Sequence, residues 1–149
     1  MKLSKDLKEF IELLNSRKVK YIIMGGHAVA YHGYPRFTGD IDFFVERSHP
    51  NAVSLEQVLK DFGFSSLEIK TEDFLKSETI VQLGRPPNRI DILTSVDGVE
   101  FSEAWNTKVN AVVDKTPVYV ISKELLIRNK RAVRRPQDLA DLSQITEDG

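Results

Sequence analysis

The chain has 149 residues, of which 41% are hydrophobic, and its formal net charge is −1. This length supports one sizeable core but hardly two ordinary domains, so we expect a single domain spanning residues 1–149. The absence of cysteine excludes disulfide frameworks and thiolate metal sites, and the charge argues against a protein that coats nucleic acid. The start lacks the apolar stretch of a signal peptide, and no run approaches the ~20 apolar residues of a membrane span, which predicts a cytoplasmic protein with no membrane partner.

The first elements are a helix and a strand that ends in a glycine pair. Residues 4–17 carry apolar side chains at helical spacing and predict an amphipathic helix that covers the core. The apolar run at residues 21–24 predicts a buried strand, and it stops at Gly25-Gly26, with a short helix expected over residues 27–31. Paired glycines let the backbone approach a ligand such as phosphate, although they also occur in a plain strand-to-helix turn.

Two aspartates, Asp40 and Asp42, open the second predicted strand. In a strand, residues two apart point to the same face, so both carboxylates project together while Ile41 and Phe43 face the core. At about 4 Å, two like charges repel by roughly 1 kcal/mol in water and about 4 kcal/mol at an effective dielectric of 20. The pair therefore needs a cation, and carboxylate oxygens suit Mg²⁺ or Mn²⁺.

The middle of the chain predicts a second covering helix and further strands. Residues 50–62 have an amphipathic pattern that Gly63 would end. Residues 65–83 predict a short strand, a small helix near 71–76 and a strand around 79–83, followed by a turn at 84–88.

A third acid, Asp91, lies in the strand predicted at residues 89–93. Ile90 and Ile92 face one side and Arg89 and Asp91 the other, which places a carboxylate on a face that can carry chemistry. A salt bridge from Asp91 to Arg89 or Arg85 is the structural alternative.

The last third of the sequence combines a helical turn, two strands and a basic region. Residues 101–106 predict a helical turn in which Trp105 packs at the core or its rim, and strands are expected at 108–113 and 118–121, joined through residues 114–117. Ser122 is predicted to cap the next helix. Residues 123–135 contain one acid and six bases, either a solvated face or phosphate ligands: Lys123, Arg128, Lys130, Arg131, Arg134 and Arg135.

The order Gly25-Gly26, thirteen residues, then Asp40-Ile41-Asp42 resembles the signature of the DNA polymerase β-like nucleotidyltransferase superfamily. More narrowly, the chain resembles minimal nucleotidyltransferases and abortive-infection type nucleotidyltransferase toxins, in which an Arg-x-Ser/Thr-x element precedes the aspartates. Arg36-Phe37-Thr38-Gly39 supplies that element, whereas His27 stands where Ser or Thr is commoner after the glycine pair. Residues 122–142 resemble the C-terminal helices of the same enzymes.

The resemblance implies a fold and a set of site residues. The fold would be α/β or α+β, with a mixed, mainly antiparallel-flanked sheet covered by helices. Asp40, Asp42 and Asp91 would bind two Mg²⁺ or Mn²⁺ ions about 4 Å apart, and Asp91 would act as general base or orient the attacking hydroxyl. The expected nucleotide-binding residues are Gly25, Gly26, His27, Arg36, Thr38, Lys123 and Lys130.

Residue chemistry leaves alternatives for several of these side chains. Arg36 could meet a phosphate or hold the carboxylates in place. His27 and His32 could be metal ligands, but histidines beside hard carboxylates are more often satisfied by hydrogen bonds. Asp138 and Asp141 could pair with nearby arginines and fasten the last helix.

The resulting functional hypothesis is transfer of a nucleoside monophosphate from an NTP to an acceptor hydroxyl, with release of pyrophosphate. The basic region favours tRNA, another RNA or a protein as acceptor, as in toxin-antitoxin systems. A small-molecule acceptor, as in antibiotic nucleotidyltransferases, is disfavoured because those enzymes usually carry a further acceptor-binding domain. The third possibility is a non-catalytic nucleotide-binding module or a toxin or antitoxin partner.

Overall fold

The computed structural model describes residues 1, 3–34, 39–64, 67–85 and 88–147. Within these ranges the helices are α1 (Lys5–Ser16), α2 (Gly25–Tyr31), α3 (His49–Asp61), a 3-10 helix (Thr71–Phe74), α4 (Phe101–Asn106), α5 (Lys123–Val133) and α6 (Pro136–Glu147). The strands are β1 (Tyr21–Met24), β2 (Ile41–Val45), β3 (Ile80–Leu83), β4 (Ile90–Leu93), β5 (Val109–Val113) and β6 (Thr116–Val120). In the described part of the chain, no helix combines the length and apolar character that crossing a membrane requires.

All six of these strands form one mixed sheet in the order β3-β4-β2-β1-β6-β5. The central strands β1 and β2 are antiparallel to each other, while β2 is parallel to β4 and β1 is parallel to β6. Each edge strand is antiparallel to its neighbour. The fold class expected from the sequence, a mixed sheet with antiparallel flanks, is thereby confirmed.

Helices cover both faces of this sheet. Phe43 and Phe44 are consecutive in β2 and therefore point to opposite faces. Phe43 packs against Phe10 of α1 with ring centroids 5.6 Å apart, and Phe44 packs against Phe101 of α4 at 5.1 Å. The alternation in β2 thus anchors one helical layer on each side, and all four rings but Phe101 are buried.

Serine side chains cap the start of three helices, of which the sequence analysis predicted the cap at Ser122. Ser4 accepts a hydrogen bond from the Leu7 amide before α1, and Ser48 precedes α3 in the same way. Ser122 accepts from the Leu125 amide and caps α5, as predicted. The two amphipathic helices predicted over residues 4–17 and 50–62 are therefore confirmed to within one residue at each end.

Two short segments differ from the sequence-based expectation. Residues 67–70 do not form the predicted strand, and residues 65–66 lie outside the described part of the chain. The β5–β6 turn contains only Asp114 and Lys115, both at positive φ (50° and 66°), whereas Thr116 and Pro117 pair within β6. Two successive residues at positive φ match the twist of a two-residue hairpin, so the longer predicted turn is wrong.

Candidate active site

Strand pairing brings the three predicted carboxylates to one face of the sheet. Asp42 in β2 lies directly opposite Asp91 in the parallel strand β4. Side chains at paired positions of adjacent strands project to the same side, so these two carboxylates are neighbours. Asp40 precedes β2 by one residue, and its carboxylate lies within 3.3 Å of the Arg89 guanidinium, which also contacts Asp91. The three acids therefore form one cluster in space from two segments that are far apart in sequence.

Gly25 allows Asp42 to approach the end of β1. Met24 pairs with Asp42 across the β1–β2 ladder, and Gly25 follows with φ +63°, in the left-handed region. A Cβ atom added to Gly25 would overlap the Oδ2 atom of Asp42. Position 25 therefore needs glycine for two reasons, its backbone conformation and the closeness of the carboxylate. The sequence pattern indicated a role in phosphate binding but gave no sign of this contact.

The helix after β1 begins earlier than expected. α2 starts at Gly25, so Gly26 and His27 lie in its first turn rather than in a separate glycine turn. His27 is buried with 5% exposure. His32, at the end of α2, places Nε2 2.7 Å from the carbonyl oxygen of Ile121, which agrees with the hydrogen-bonded role expected for this histidine.

Arg89 forms the ion pairs that connect two of the carboxylates. Its Nε and Nη2 atoms donate to the two oxygens of Asp91 at 2.7 and 3.0 Å. Nη2 also lies 3.3 Å from Oδ2 of Asp40, and the Arg89 backbone N–H donates to Oδ1 of Asp40 at 3.2 Å. Of the two arginines that the sequence offered for Asp91, the structure selects Arg89. This pairing coexists with the position of Asp91 in the carboxylate cluster.

The environment of Asp42 disfavours its charged form. Burial raises the pKa of Asp42 to about 6, and the neighbouring carboxylates of Asp91 and Asp40 act in the same direction, against the opposing charges of Arg135 and Arg89. A carboxyl group with a strongly raised pKa beside a cavity is typical of a functional site. The cluster thus lacks part of the positive charge that its acids require.

The carboxylate oxygens are suitable ligands for a divalent cation, although the described side chains are not arranged around a common metal position. Three carboxylates on one face supply the oxygen ligands that Mg²⁺ and Mn²⁺ prefer. Within the described ranges, no group of three or more acidic or imidazole side chains is arranged as it stands to hold a metal ion. Arg89 donates to both oxygens of Asp91 and contacts Asp40.

A cavity of about 330 Å³ opens beside Asp42 between the sheet and the last two helices. Its walls include Gly25, Leu93, Asp97, Asn129 and Arg135. A second, polar groove of about 580 Å³ continues from it along the C-terminal ends of β2 and β4, and the two share residues such as Glu78, Ser95 and Asp97. A substrate can therefore reach Asp42 through this cavity.

Lys130 belongs to a buried ion-pair network rather than to the open part of this cavity. Its ammonium group lies 3.2 Å from Asp138 and 2.8 Å from Asp141, and the three residues are only 4%, 2% and 3% exposed. These bonds join α5 to α6. The expected fastening of the last helix through Asp138 and Asp141 is present, but the principal cation is a lysine. A triphosphate contact by Lys130 would require this network to open.

Arg135 is a candidate ligand-binding residue that the sequence did not single out. Its Nε donates to Asp138 at 2.8 Å, while 73% of the side chain remains exposed. Arg135 also lines the cavity with Asp42 and acts to lower the pKa of that carboxyl group. The local signal was its position three residues before Asp138, a spacing at which side chains meet in and before a helix.

The remaining predicted residues are only partly located. Lys123 begins α5 and holds its ammonium 5.7 Å from the ring centroid of Tyr34, near the loop that leads to the aspartates. Arg36 and Thr38 lie outside the described residues, so their proposed phosphate contacts stay predictions. Trp105 stacks on Phe101 with ring centroids 6.0 Å apart, which matches its expected packing role.

Several solved structures share this fold at low sequence identity. A Thermotoga maritima protein described as a candidate nucleotidyltransferase has 18% identity and a TM-score of 0.64, with 96% of this chain and 91% of that chain covered. An antigenic nucleotidyltransferase-like protein from Paracoccidioides brasiliensis has 17% identity and a TM-score of 0.57, with coverages of 97% and 78%. ANT(2″)-Ia in complex with adenylyl-2″-tobramycin has 16% identity and a TM-score of 0.59, with coverages of 95% and 86%.

Comparison at the level of sequence assigns the family. No curated protein sequence matches this chain significantly. Residues 3–148 match the sequence profile of the family described as nucleotidyl transferase of unknown function, DUF2204. Because the match covers nearly the whole chain, the protein belongs to this nucleotidyl transferase family.

Proposed function

We propose that the protein transfers a nucleoside monophosphate from an NTP to an acceptor hydroxyl and that a divalent metal is required. The observation that carries the proposal is the pairing of Asp42 with Asp91 on adjacent parallel strands, with Asp40 joined to them through Arg89. A bound Mg²⁺ or Mn²⁺ would offset the charge of the triphosphate and of the leaving pyrophosphate. Family membership supports the same reaction class.

The side chains divide the work of the transfer. Asp91 takes the proton of the acceptor hydroxyl, whose oxygen attacks the α-phosphorus as the bond to the β-phosphate oxygen breaks. Asp40, Asp42 and Asp91 would hold the cation, and Gly25 keeps the backbone close to Asp42. Arg135 offers an exposed guanidinium beside the cavity for the β- and γ-phosphates, a role that the sequence-based hypothesis gave to Lys123 or Lys130.

Replacement of Asp42 tests the proposal directly. In Asp42→Asn, we expect transfer of label from an α-labelled NTP to fall on the order of 10³-fold or more, because the metal loses a charged ligand worth several kcal/mol. Asp61→Asn, which alters an exposed aspartate paired with Arg17, serves as the matched control and should keep full activity. Circular dichroism checks that both variants fold. Full activity in Asp42→Asn would refute the assignment.

The charge distribution around the cavity bears on the acceptor. Of the six bases that suggested RNA, Arg128 pairs with Glu103, while Lys130 and Arg135 bond to Asp138. The polar groove beside the site is lined by several acids, including Glu46, Glu78, Asp97 and Glu100. Because a nucleic-acid backbone needs accessible cations, this distribution favours a small neutral or cationic hydroxyl compound over a nucleic acid as the acceptor.

Chain length does not oppose a small acceptor. This chain covers 86% of ANT(2″)-Ia, a protein of similar fold whose structure contains adenylyl-2″-tobramycin. The length of this chain is therefore no longer an argument against a small-molecule acceptor. RNA and protein remain the candidates suggested by the basic region.

One labelling experiment separates the acceptor classes. The protein is incubated with each α-labelled NTP, Mg²⁺ or Mn²⁺, and either total RNA, a protein extract or a panel of amino-sugar and polyhydroxylated compounds. We expect label on a small compound, with little dependence on salt. Labelled RNA, with binding that weakens steeply as salt rises, would favour the RNA acceptor. NTP binding without transfer to any acceptor would favour a non-catalytic or toxin-antitoxin partner module.

A further inference from the structure

The Arg89 guanidinium contacts the carboxylates of Asp40 and Asp91, which would also bind a metal ion. We propose that Arg89 is an internal counter-ion that competes with the divalent metal, so that metal binding displaces the guanidinium from Asp91 and from Asp40 Oδ2. The inference rests on the proposed function, because it concerns the same carboxylates. It assigns Arg89 a positioning role that neither the family description nor the sequence motifs contain.

The bonding pattern of Arg89 shows why the two cations compete. The guanidinium donates to both oxygens of Asp91, at 2.7 and 3.0 Å, and lies 3.3 Å from Oδ2 of Asp40. A metal held jointly by the cluster would require oxygens of the same two carboxylates. The described side chains accordingly contain no group of three acids closed around a cation position. Turning Asp91 toward Asp42 would release its bonds to Arg89.

The structure provides a way for the guanidinium to leave without loss of the surrounding fold. The Arg89 side chain is 28% exposed, so it can turn toward solvent. Its backbone remains fixed, because the Arg89 N–H donates to Asp40 Oδ1 and its carbonyl accepts from the Ile41 N–H at 3.0 Å. Asp40 therefore stays anchored to β4 when the side chain moves.

In the metal-free protein, Arg89 stabilises the carboxylate cluster. Three neighbouring carboxylates repel one another, and Arg89 offsets part of that repulsion before a metal arrives. The same positive charge opposes a free divalent cation. Metal should therefore bind best together with an NTP, whose phosphates supply further negative charge and ligands.

Mn²⁺ binding to the whole protein without nucleotide tests the competition. The signal of free Mn²⁺ in electron paramagnetic resonance gives the dissociation constant for wild type and for Arg89→Gln, Arg89→Lys and Arg17→Gln. We expect Arg89→Gln to bind Mn²⁺ on the order of tenfold more tightly, because one nearby positive charge is removed. Arg89→Lys keeps that charge, and Arg17→Gln breaks a similar pair with Asp61 elsewhere on the surface, so both should stay near wild type.

The outcomes separate this inference from the proposed function. Suppose that the wild-type protein binds Mn²⁺ and transfers nucleotide, but that Arg89→Gln binds Mn²⁺ equally tightly or more weakly. That result would overturn the role of Arg89 and leave the proposed function intact. Absence of Mn²⁺ binding in every variant, with and without NTP, would overturn both proposals. Tighter binding in Arg89→Gln but not in Arg89→Lys would support the competition.

A measurement on the wild-type protein covers the case in which Arg89→Gln does not fold. The Nε–H resonance of Arg89 is followed by nuclear magnetic resonance during titration with Mg²⁺ and a non-hydrolysable NTP analogue. Loss of the bond to Asp91 should speed exchange of this hydrogen with water about tenfold or more. An exchange rate that stays constant while the metal complex forms would show that Arg89 keeps its bond to Asp91, and would overturn the inference.

Discussion

The molecule contains two clusters of aspartates that differ in how their charge is balanced. Asp138 and Asp141 are almost fully buried and share Lys130, and Arg135 adds a second cation at Asp138. Burial alone would raise the pKa of Asp138, but hydrogen bonds from Arg135 and Lys130 hold it below its usual range. The cluster beside Gly25 behaves in the opposite way, because burial and its like-charged neighbours raise the pKa of Asp42 to about 6.

Burial alone therefore does not decide in which direction the pKa of an acid is shifted in this chain. The α5–α6 network is complete, since each of its buried carboxylates has a cation within 3.2 Å. In the cluster of Asp40, Asp42 and Asp91, Arg89 pairs with two of the acids, and the third, Asp42, lines the cavity. The incomplete cluster is the one that can gain binding energy from a cationic ligand.

Removal of Lys130 should have the largest effect on stability. Lys130→Met leaves the buried carboxylate of Asp141 without its cation and that of Asp138 with Arg135 alone, so we expect the free energy of unfolding to fall by about 3–5 kcal/mol. Urea unfolding monitored by circular dichroism measures the change. Arg131→Gln alters an exposed neighbour in the same helix and should stay within about 0.5 kcal/mol of wild type. A small effect in Lys130→Met would mean that the network does not fasten α6.

Substitution of Gly25 tests how strictly the open cluster depends on the end of β1. Gly25→Ala places a methyl group against Asp42 at a backbone conformation unfavourable for alanine, so we expect a loss of about 1–3 kcal/mol. Nucleotide transfer should fall further than stability does, because Asp42 must turn away.

Gly26→Ala is the matched control for that substitution. Gly26 lies inside α2, where alanine is the better helix former, so stability should be equal or slightly higher. Equal behaviour of the two alanine variants, in both unfolding and transfer, would contradict the close approach at Gly25.

The smallest expected effect is a pH dependence that separates the two clusters. The pKa of Asp42 lies above its value in the unfolded chain, so the folded protein binds more protons between about pH 4 and pH 6. In EDTA, the contribution of this group should therefore favour folding at pH 5 and be lost as pH rises through 6, by about 1–2 kcal/mol.

Comparison with Asp42→Asn isolates this contribution. The variant removes the titrating group, so the amount by which its free energy of unfolding exceeds that of wild type should be about 1–2 kcal/mol larger at pH 7 than at pH 5. Urea unfolding at both pH values provides the measurement. A difference between the two proteins that is independent of pH would contradict the raised pKa.

The parts of the fold that depend on local rules could be predicted from sequence. Alternation placed Asp40 and Asp42 on one face of β2 and Asp91 opposite the isoleucines of β4, whereas the family resemblance implied that the three acids meet. Apolar spacing located α1 and α3, and the serine cap at Ser122 located the start of α5. These features depend on neighbours within a few residues, so the linear sequence contains them.

Partners distant in sequence were harder to predict. Arg89 and Arg85 were equivalent candidates for Asp91, and only the pairing of β2 with β4 brings Arg89 against Asp40 as well. Lys130 was expected to bind the nucleotide, because its burial against Asp141 depends on the packing of α6 against α5, which the sequence does not show. The basic region suggested an RNA surface for the same reason, since sequence alone does not show which cations are already paired.

The edge position of β3 has a consequence for how such enzymes diversify. Ile80 is 58% exposed and borders the cavity, and Gln82 pairs with Asp91. Exposed residues on a terminal strand can be exchanged with little cost to folding, whereas Asp42 and Asp91 are held by interior strands. Descendants of one ancestral enzyme could therefore adopt new acceptors through changes in β3 while their chemistry stays the same.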